Sequence, residues 1–484
     1  MSSRRMLRAL TAAPLFAATA LAAELNFTPL NPADIYKPGE DLGWTVTAAP
    51  GVIPKTVYTY TVLENGAKEI GKGSFDLSKG TATLSLKLDH PGMVYVTVDK
   101  TGTPPPTMPA PAEADKINAG LKTLLAKNDP SLKALFDKYP DFCLVASPCG
   151  MPAPDTGPSP NPVPHLAILG AAVAPNRIDP VAPRPADFDA FWTAKLAALA
   201  KVPMKPVLTE IPAPVPGIKF YKVQIDSLGS RVHAYLAVPL KKGPYPAMVQ
   251  YQWAGVYPMI PAICANRAAE GWLCLNVSSH DMPLDSTNGV PKNYYEIGNT
   301  SRETSYYLSM YLRDTRALDW LRTRPDWNRK TLVVTGTSMG GHQSLVTAGL
   351  NPGKVTAVLV NEPSGGDSNA ELGGRQAAYP NWPVRDAKVA EASRYFDTAN
   401  FASRIAAPTM AAVGFIDIVC PPASVFSAVN QIKAPKEIIP MTESNHNNHT
   451  PDKQAAWLSR SEDVLATLLH GGAFVPDEWV SKAK

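Results

Sequence analysis

The sequence predicts a two-part chain: a small all-β sandwich, then a doubly wound, mostly parallel α/β sheet. Three observations carry this. Residues 25–99 hold short alternating stretches divided by turn residues. From about residue 180, strand-like apolar runs alternate with helical patterns, which calls for a parallel sheet covered on both faces. At 484 residues, with 45% apolar and 18% charged side chains, the chain is long enough for two or three domains and can bury their cores.

The chain opens with an export pattern over residues 1–22. Arg4, Arg5 and Arg8 precede the apolar run ALTAAPLFAATAL (9–21), and Ala20-Leu21-Ala22 is an A-x-A cleavage site. A membrane span would need about 20 apolar residues, more than this run has. Ser3-Arg4-Arg5 partly resembles a twin-arginine signal, which leaves the export route open. An exported protein, periplasmic or secreted, is expected. No other segment is long and apolar enough to cross a membrane.

The sandwich domain is placed at 23–175. TVYTYTV (56–62), ATLSLKL (82–88) and MVYVTV (93–98) each present one apolar or aromatic face. Lys37-Pro38-Gly39-Glu40, Asn65-Gly66 and His90-Pro91-Gly92 mark turns between strands. Strands this short and closely spaced suggest an immunoglobulin-like fold. No group of reactive side chains appears there, so the unit reads as a structural or binding module.

The 49 prolines of the chain, about twice the usual share of roughly 5%, point to long loops. Residues 102–164 are rich in them and flank one predicted helix, KINAGLKTLLAK (116–127). HLAILGAAV (165–173) then reads as a strand, which makes 102–164 an insertion within the sandwich; a plain interdomain linker is the alternative. Cys143 and Cys149 lie close together in this segment, where an oxidising compartment favours a local disulfide. Cys264, Cys274 and Cys420 sit in apolar contexts and read as buried small hydrophobes.

The α/β domain is placed at 176–484. RVHAYLAVPL, PAMVQYQWAG, GWLCLNVS, TLVVTGTS, VTAVLVNEP, PTMAAVGFID and KEIIPM read as strands. ADFDAFWTAKLAAL, YLRDTRALDWLRTR, GGHQSLVTAGL, PPASVFSAVNQI and PDKQAAWLSRSEDVLATLL read as helices. A net charge of only +4, with no long basic run, gives no reason to expect nucleic acid or an anionic membrane as partner.

The sharpest chemical signal is GTSMGG (336–341), a G-x-S-x-G motif directly after an apolar strand and before a helix. That setting forms a nucleophile elbow, with Ser338 at the sheet edge and an α/β-hydrolase fold around it. A serine needs a base to take its proton and an acid to orient the base, in the chain order Ser, Asp or Glu, His. Asp417 ends the predicted strand PTMAAVGFID, on the edge where open α/β sheets carry function. SNHNNHT (444–450) supplies two candidates for the base, His446 and His449. A metal at this loop would need more ligands than the neighbouring residues supply. The third reading, a solvated polar loop, would leave Ser338 and Asp417 without a partner. No metal or organic cofactor is expected. His280 and His342 read as structural, since one base completes the set.

Four stretches resemble the acetyl xylan esterase/cephalosporin-C deacetylase family of α/β-hydrolases. They are RPADFDAFW (184–192), VQYQWAG (249–255), RDTRALDWLRTRPDWNRKTLVVTGTSMGG (313–341) and GFIDIVCPPASVFSAVNQIKAPKEI (414–438), within a likeness covering about 180–470. Counting on without a gap, the resemblance puts the family's catalytic histidine on His446, beside Ser338 and Asp417. Departures mark a divergent branch. Met339 stands where the family usually has Gln, and Ser278-Ser279-His280 where it has Arg-Gly-Gln. Asn447 replaces a common Glu, and Ala254 replaces a tyrosine of the oxyanion loop. The oxyanion donors are backbone N–H groups: Met339, and in the loop after PAMVQY first Ala254, then Trp253, which can instead pack the site wall.

The sequence therefore predicts an exported esterase acting on acetylated carbohydrate, xylan-type polysaccharide or oligosaccharide, through Ser338, His446 and Asp417. A broad carboxylesterase or peptidase on the same scaffold is one rival. A catalytically silent sugar-binding or adhesion protein is another, against which the complete Ser–Asp–His set argues. An oligomer is compatible with all three.

Overall fold

The computed structural model describes residues 24–49, 57–101, 165–286, 288–446 and 452–477. The export pattern, the Pro-rich segment with Cys143, Cys149 and predicted helix 116–127, and His449 lie outside the described residues.

Among the described residues eight strands build the first unit: β1 (Leu25–Pro29), β2 (Ile35–Tyr36), β3 (Asp41–Ala48), β4 (Val57–Glu64), β5 (Lys68–Asp76), β6 (Thr81–Lys87), β7 (Gly92–Lys100) and β8 (Ala167–Val173). They form two sheets, ordered β1-β3-β6 and β2-β8-β7-β4-β5. The alternation in sequence becomes alternation in space. Leu42, Trp44 and Val46 of β3 and Val94, Val96 and Val98 of β7 point into one core shared by both sheets. Asn65 and Gly66 both take positive φ (49° and 70°), the backbone that turns β4 into β5. β8 lies antiparallel beside β7, with Val98 opposite Ala167 and Gly92 opposite Val173.

The second unit is one nine-stranded sheet of β9 (Val207–Ile211), β10 (Ile218–Ser227), β11 (Ser230–Pro239), β12 (Tyr245–Tyr251), β13 (Leu273–Val277), β14 (Trp327–Thr337), β15 (Ala357–Asn361), β16 (Thr409–Gly414) and β17 (Lys436–Met441). Its order is β17-β16-β15-β14-β12-β13-β11-β10-β9. Strands β12 to β17 are parallel, and β9 to β11 add an antiparallel flank. The sequence reading began this sheet at residue 231 and missed β9 and β10, although buried Ile218 and Phe220 alternate with exposed Lys219 in a period-two pattern. It also ran β16 on to Asp417; the strand ends at Gly414, and Asp417 stands in the loop beyond.

Among the described residues eight α-helices accompany the sheet: α1 (Phe188–Ala200), α2 (Ala262–Glu270), α3 (Tyr306–Thr323), α4 (Met339–Leu350), α5 (Ala387–Ser393), α6 (Thr398–Ala402), α7 (Pro422–Val429) and α8 (Ala455–Leu469). Neighbouring strand residues serve opposite faces. Val249, Val334, Val358 and Val360 meet α3, α4 and α7, while Met248, Val333, Ala357 and Leu359 meet α2 and α8. Each such Val, Leu or Met side chain, fully buried, stabilises the fold by about 1.5–3 kcal/mol. Met93 of β7 and Ala172 of β8 belong to the first of these cores, together with Phe415 and Phe426. The two-sheet unit is thus packed into the α/β unit rather than tethered beside it.

Candidate active site

Ser338 sits between the last residue of β14 and the first of α4, with φ 56° and ψ −124°. A non-glycine residue in that region carries about 1–3 kcal/mol of strain and persists only where its surroundings force it. Both flanking glycines are required by close approach. A Cβ on Gly336 would lie 2.4 Å from the Gly340 carbonyl carbon, and one on Gly340 would lie 2.3 Å from the Tyr251 oxygen. The Ser338 N–H donates to Asn361 O at 2.9 Å, which ties the turn to β15.

Three side chains that are far apart in sequence meet here. His446 Nε2 lies 2.9 Å from Ser338 Oγ, and His446 Nδ1 lies 2.8 Å from Asp417 Oδ2. All three residues are buried. In the neutral tautomer that suits this chain, Nδ1–H donates to the carboxylate and Nε2 accepts from the hydroxyl. The other Asp417 oxygen accepts from Val419 N–H and Cys420 N–H, both at 2.8 Å, so the loop's own backbone aims the carboxylate. Burial disfavours a charged imidazole at His446, but the Asp417 carboxylate more than offsets this and holds it well above its ordinary value.

Sequence reasoning missed two neighbours. The Cys420 thiol lies against the acid–base pair, and burial pushes it up to about 11. Ligand-type atoms of Asp417, Cys420 and His446 lie within 4.8 Å of one another, but His446 Nδ1 and Asp417 Oδ2 already bond each other. Glu362 follows β15 with φ 44° and is fully buried. Its Oε1 accepts from Ser444 Oγ at 2.7 Å, and Ser444 Oγ in turn accepts from Gln454 Nε2 at 2.7 Å, which fixes the loop two residues before His446. The available signal was a carboxylate just past the end of a parallel strand, on the same sheet edge as Asp417.

The two expected oxyanion donors come from different elements. Met339 is the first residue of α4, where backbone N–H groups have no acceptor within the helix. Ala254 is buried in the loop after β12. Trp253 beside it stacks on Tyr257 at 4.9 Å, so it packs the wall. That loop is braced from below. Gln252 O accepts from Gln343 Nε2 at 2.7 Å, and Gln252 Oε1 accepts from Ser279 N–H at 2.9 Å. His280 Nε2–H donates to Gly255 O at 3.0 Å while Nδ1 accepts from Tyr306 OH at 2.8 Å. Burial pushes His280 down to about 4 and His342 to about 3; both are neutral near pH 7. His342 bonds Tyr311 and Ser364. Neither histidine belongs to the Ser338 chain. Met339 itself receives a hydrogen bond from Tyr294 OH at its sulfur, 3.2 Å away.

Comparison with known proteins gives a consistent picture. The family model described as acetyl xylan esterase (AXE1) matches residues 176–461. The acetyl esterase Axe7A of Xylanibacter ruminicola is 31% identical over 307 residues, 59% of this chain and 70% of that protein. The solved acetyl xylan esterase from Paenibacillus sp. R4 superposes with TM-score 0.53 at 24% identity, over 60% of this chain and 98% of that one. Acetyl xylan esterase 1 from Thermoanaerobacterium sp. JW/SL YS485 gives 0.52 at 23% identity, over 59% and 97%. These two structural likenesses speak to the fold.

Proposed function

The chain belongs to the acetyl xylan esterase family, which makes it a carboxylic ester hydrolase, and from that premise we propose that it is an exported serine esterase removing acetyl groups from xylan-type carbohydrate. The observation that carries the mechanism is the unbroken hydrogen-bonded chain Asp417–His446–Ser338 at 2.8 and 2.9 Å. Ser338 Oγ attacks the acetyl carbonyl as His446 Nε2 takes its proton. Asp417 holds the imidazole in the working tautomer and stabilises its positive charge. The N–H groups of Met339 and Ala254 receive the oxyanion. Collapse of the tetrahedral intermediate breaks the ester bond, and the His446 proton leaves with the sugar hydroxyl. Water, deprotonated by His446, then attacks the acetyl-Ser338 ester, and acetate departs as Ser338 regains its proton.

The order of the two small sheets, β1-β3-β6 and β2-β8-β7-β4-β5, supports an immunoglobulin-like reading of the first unit. Export rests on the basic and apolar pattern of residues 1–22. Among the described residues no helix is long and apolar enough to cross a membrane. The deciding assay is acetate release from acetylated xylan, with Ser338→Ala as control. Turnover of a small aryl acetate without release from xylan would replace the carbohydrate reading with a broad carboxylesterase. An active Ser338→Ala would remove the mechanism.

A further inference from the structure

The loop from Phe415 to Pro421 carries Asp417; Phe415 N–H to Met441 O at 3.0 Å and Tyr379 N–H to Val419 O at 2.9 Å tie it to the α/β unit, and one further tie leads to the two-sheet unit. Gln376 is the link. Its backbone N–H donates to Asn65 O at 3.0 Å in the β4–β5 turn, and its side-chain Nε2 donates to Ile418 O at 2.6 Å, one residue past the acid. Asn65 is fixed in turn on β7, where its N–H donates to Met93 O at 2.7 Å and its Oδ1 accepts from Met93 N–H at 2.8 Å. Gly66 has room only for a hydrogen at that point, since a Cβ would lie 2.2 Å from Gln376 Oε1.

A second contact is backbone to backbone. Gly170 of β8 lies against Phe415, and a Cβ there would stand 2.6 Å from the Phe415 oxygen. Asn65, Tyr95, Gln376, Phe415 and Asp417 line one gap of about 10 Å³, at the lower limit for a single water. The rear of the acid is therefore sealed by the small sheets. Burial, and then the Asp417 charge, raise the Tyr95 phenol to about 12, so it stays a neutral wall.

We propose that the N-terminal two-sheet unit is part of the acid side of the active site, with Gln376 the positioning residue that clamps the Asp417 loop to it. This rests on the serine-esterase reading above. Asp417 must keep its carboxylate on His446 Nδ1 while Ser338 is attacked, and a displacement of about 1 Å can cost 10²-fold in rate. Sealing out water also strengthens the Asp417–His446 interaction, because the local dielectric is lower. The sandwich acts on kcat through the loop, with no need to touch the sugar.

The test uses the full-length chain and a small aryl acetate, which makes no demand on polysaccharide binding. Gln376→Ala removes the clamp's side chain, and Gln376→Glu keeps its size but replaces the donor with an acceptor. Gly170→Ala inserts one methyl between the units. Gly71→Ala on β5 is the control, since a Cβ there meets Val62 at an ordinary 3.8 Å. Gln376→Ala, Gln376→Glu and Gly170→Ala should lower kcat roughly ten- to a hundredfold with KM within about twofold, and Gly71→Ala should match the parent. Parent-level kcat in folded Gln376→Ala and Gln376→Glu overturns the proposal, whatever Gly170→Ala does to folding. Ser338→Ala in the same series separates the two ideas. If it is inactive while the Gln376 variants are normal, only the clamp fails; if it is active, the serine mechanism fails first.

Discussion

The Ser338 elbow and the Asp417 loop lie on one sheet edge but are held by opposite means. The elbow is fixed within a few residues: two glycines in backbone contact, a strand before and a helix after. The Asp417 loop starts from equally local bonds, the carboxylate on Val419 and Cys420 N–H, but its outer side is bonded by Gln376, which is in turn bonded to Asn65, and lies against Gly170. A locally built feature fails completely when one of its atoms is changed. A feature supported from a distance should fail by degrees, and this difference orders the expected effects.

The largest loss is expected at the elbow. Ser338→Ala should lower esterase turnover by about 10⁴-fold or more in a folded protein, with a fluorophosphonate probe labelling Ser338 in the parent. His446→Ala should lose about as much, whereas His449→Ala should keep most turnover. Reversal of that order would make His449 the base. Asp417→Asn should follow, at about 10²–10⁴-fold, because an amide cannot enforce the same tautomer. The sign of its pH effect is defined. As the proposed base, His446 would work only when neutral, and Asp417 holds its proton affinity above the ordinary value, so parent activity should rise with pH through a midpoint above 6.5. Without the carboxylate that midpoint should move to lower pH, and an unmoved acid limb would mean that another group titrates there.

A smaller effect is expected one step further from the chemistry. Glu362→Ala removes the acceptor of Ser444 Oγ and leaves a space beside the His446 loop. Turnover should drop roughly tenfold, with Glu362→Gln recovering much of it, since an amide oxygen can still accept from Ser444. Equal losses in the two variants would point to the charge rather than to the hydrogen bond.

What could be read from the sequence follows the same division. Ser338 was legible because its turn needs small residues at fixed offsets, and Asp417 and His446 because each follows a recognisable apolar strand at the same sheet edge. Strands β9 and β10 were missed for an ordinary reason: an alternating flank next to a parallel sheet interrupts the strand–helix rhythm. Gln376 left no mark. It lies in an irregular stretch, and its role comes from a backbone oxygen more than 300 residues earlier, a pairing that no local pattern encodes. Cys420 carried a residue type but no spacing to interpret, and Glu362 only its place just past a parallel strand. The packing of the small sheets onto the α/β unit was equally silent, because Met93 and Ala172 looked like sandwich core and serve the larger core.

The smallest effect would show whether the His446 loop also leans on the small sheets. Asp34, between β1 and β2, is buried with φ 51°, and its backbone oxygen accepts from Ala172 N–H at 2.8 Å. Burial raises its carboxyl to about 7, against a hydrogen bond from Trp44, and the charge of Glu443 in the His446 loop adds to the rise. An unfolded aspartate titrates near 3.9, so between about pH 4 and 7 the folded chain binds the extra proton. The contribution of Asp34 to stability is thus present below pH 4 and lost as the pH rises through 7. Asp34→Asn keeps an acceptor for Trp44 but cannot ionise. Melting temperatures of parent and variant should diverge between pH 5 and 8 by roughly 2–5 °C, with the variant the more stable at pH 8. Activity at pH 8 should rise or hold if the loop relaxes with the charge removed. Parallel melting curves would show that Asp34 is already ionised at pH 5 and that it does not couple the small sheets to the His446 loop.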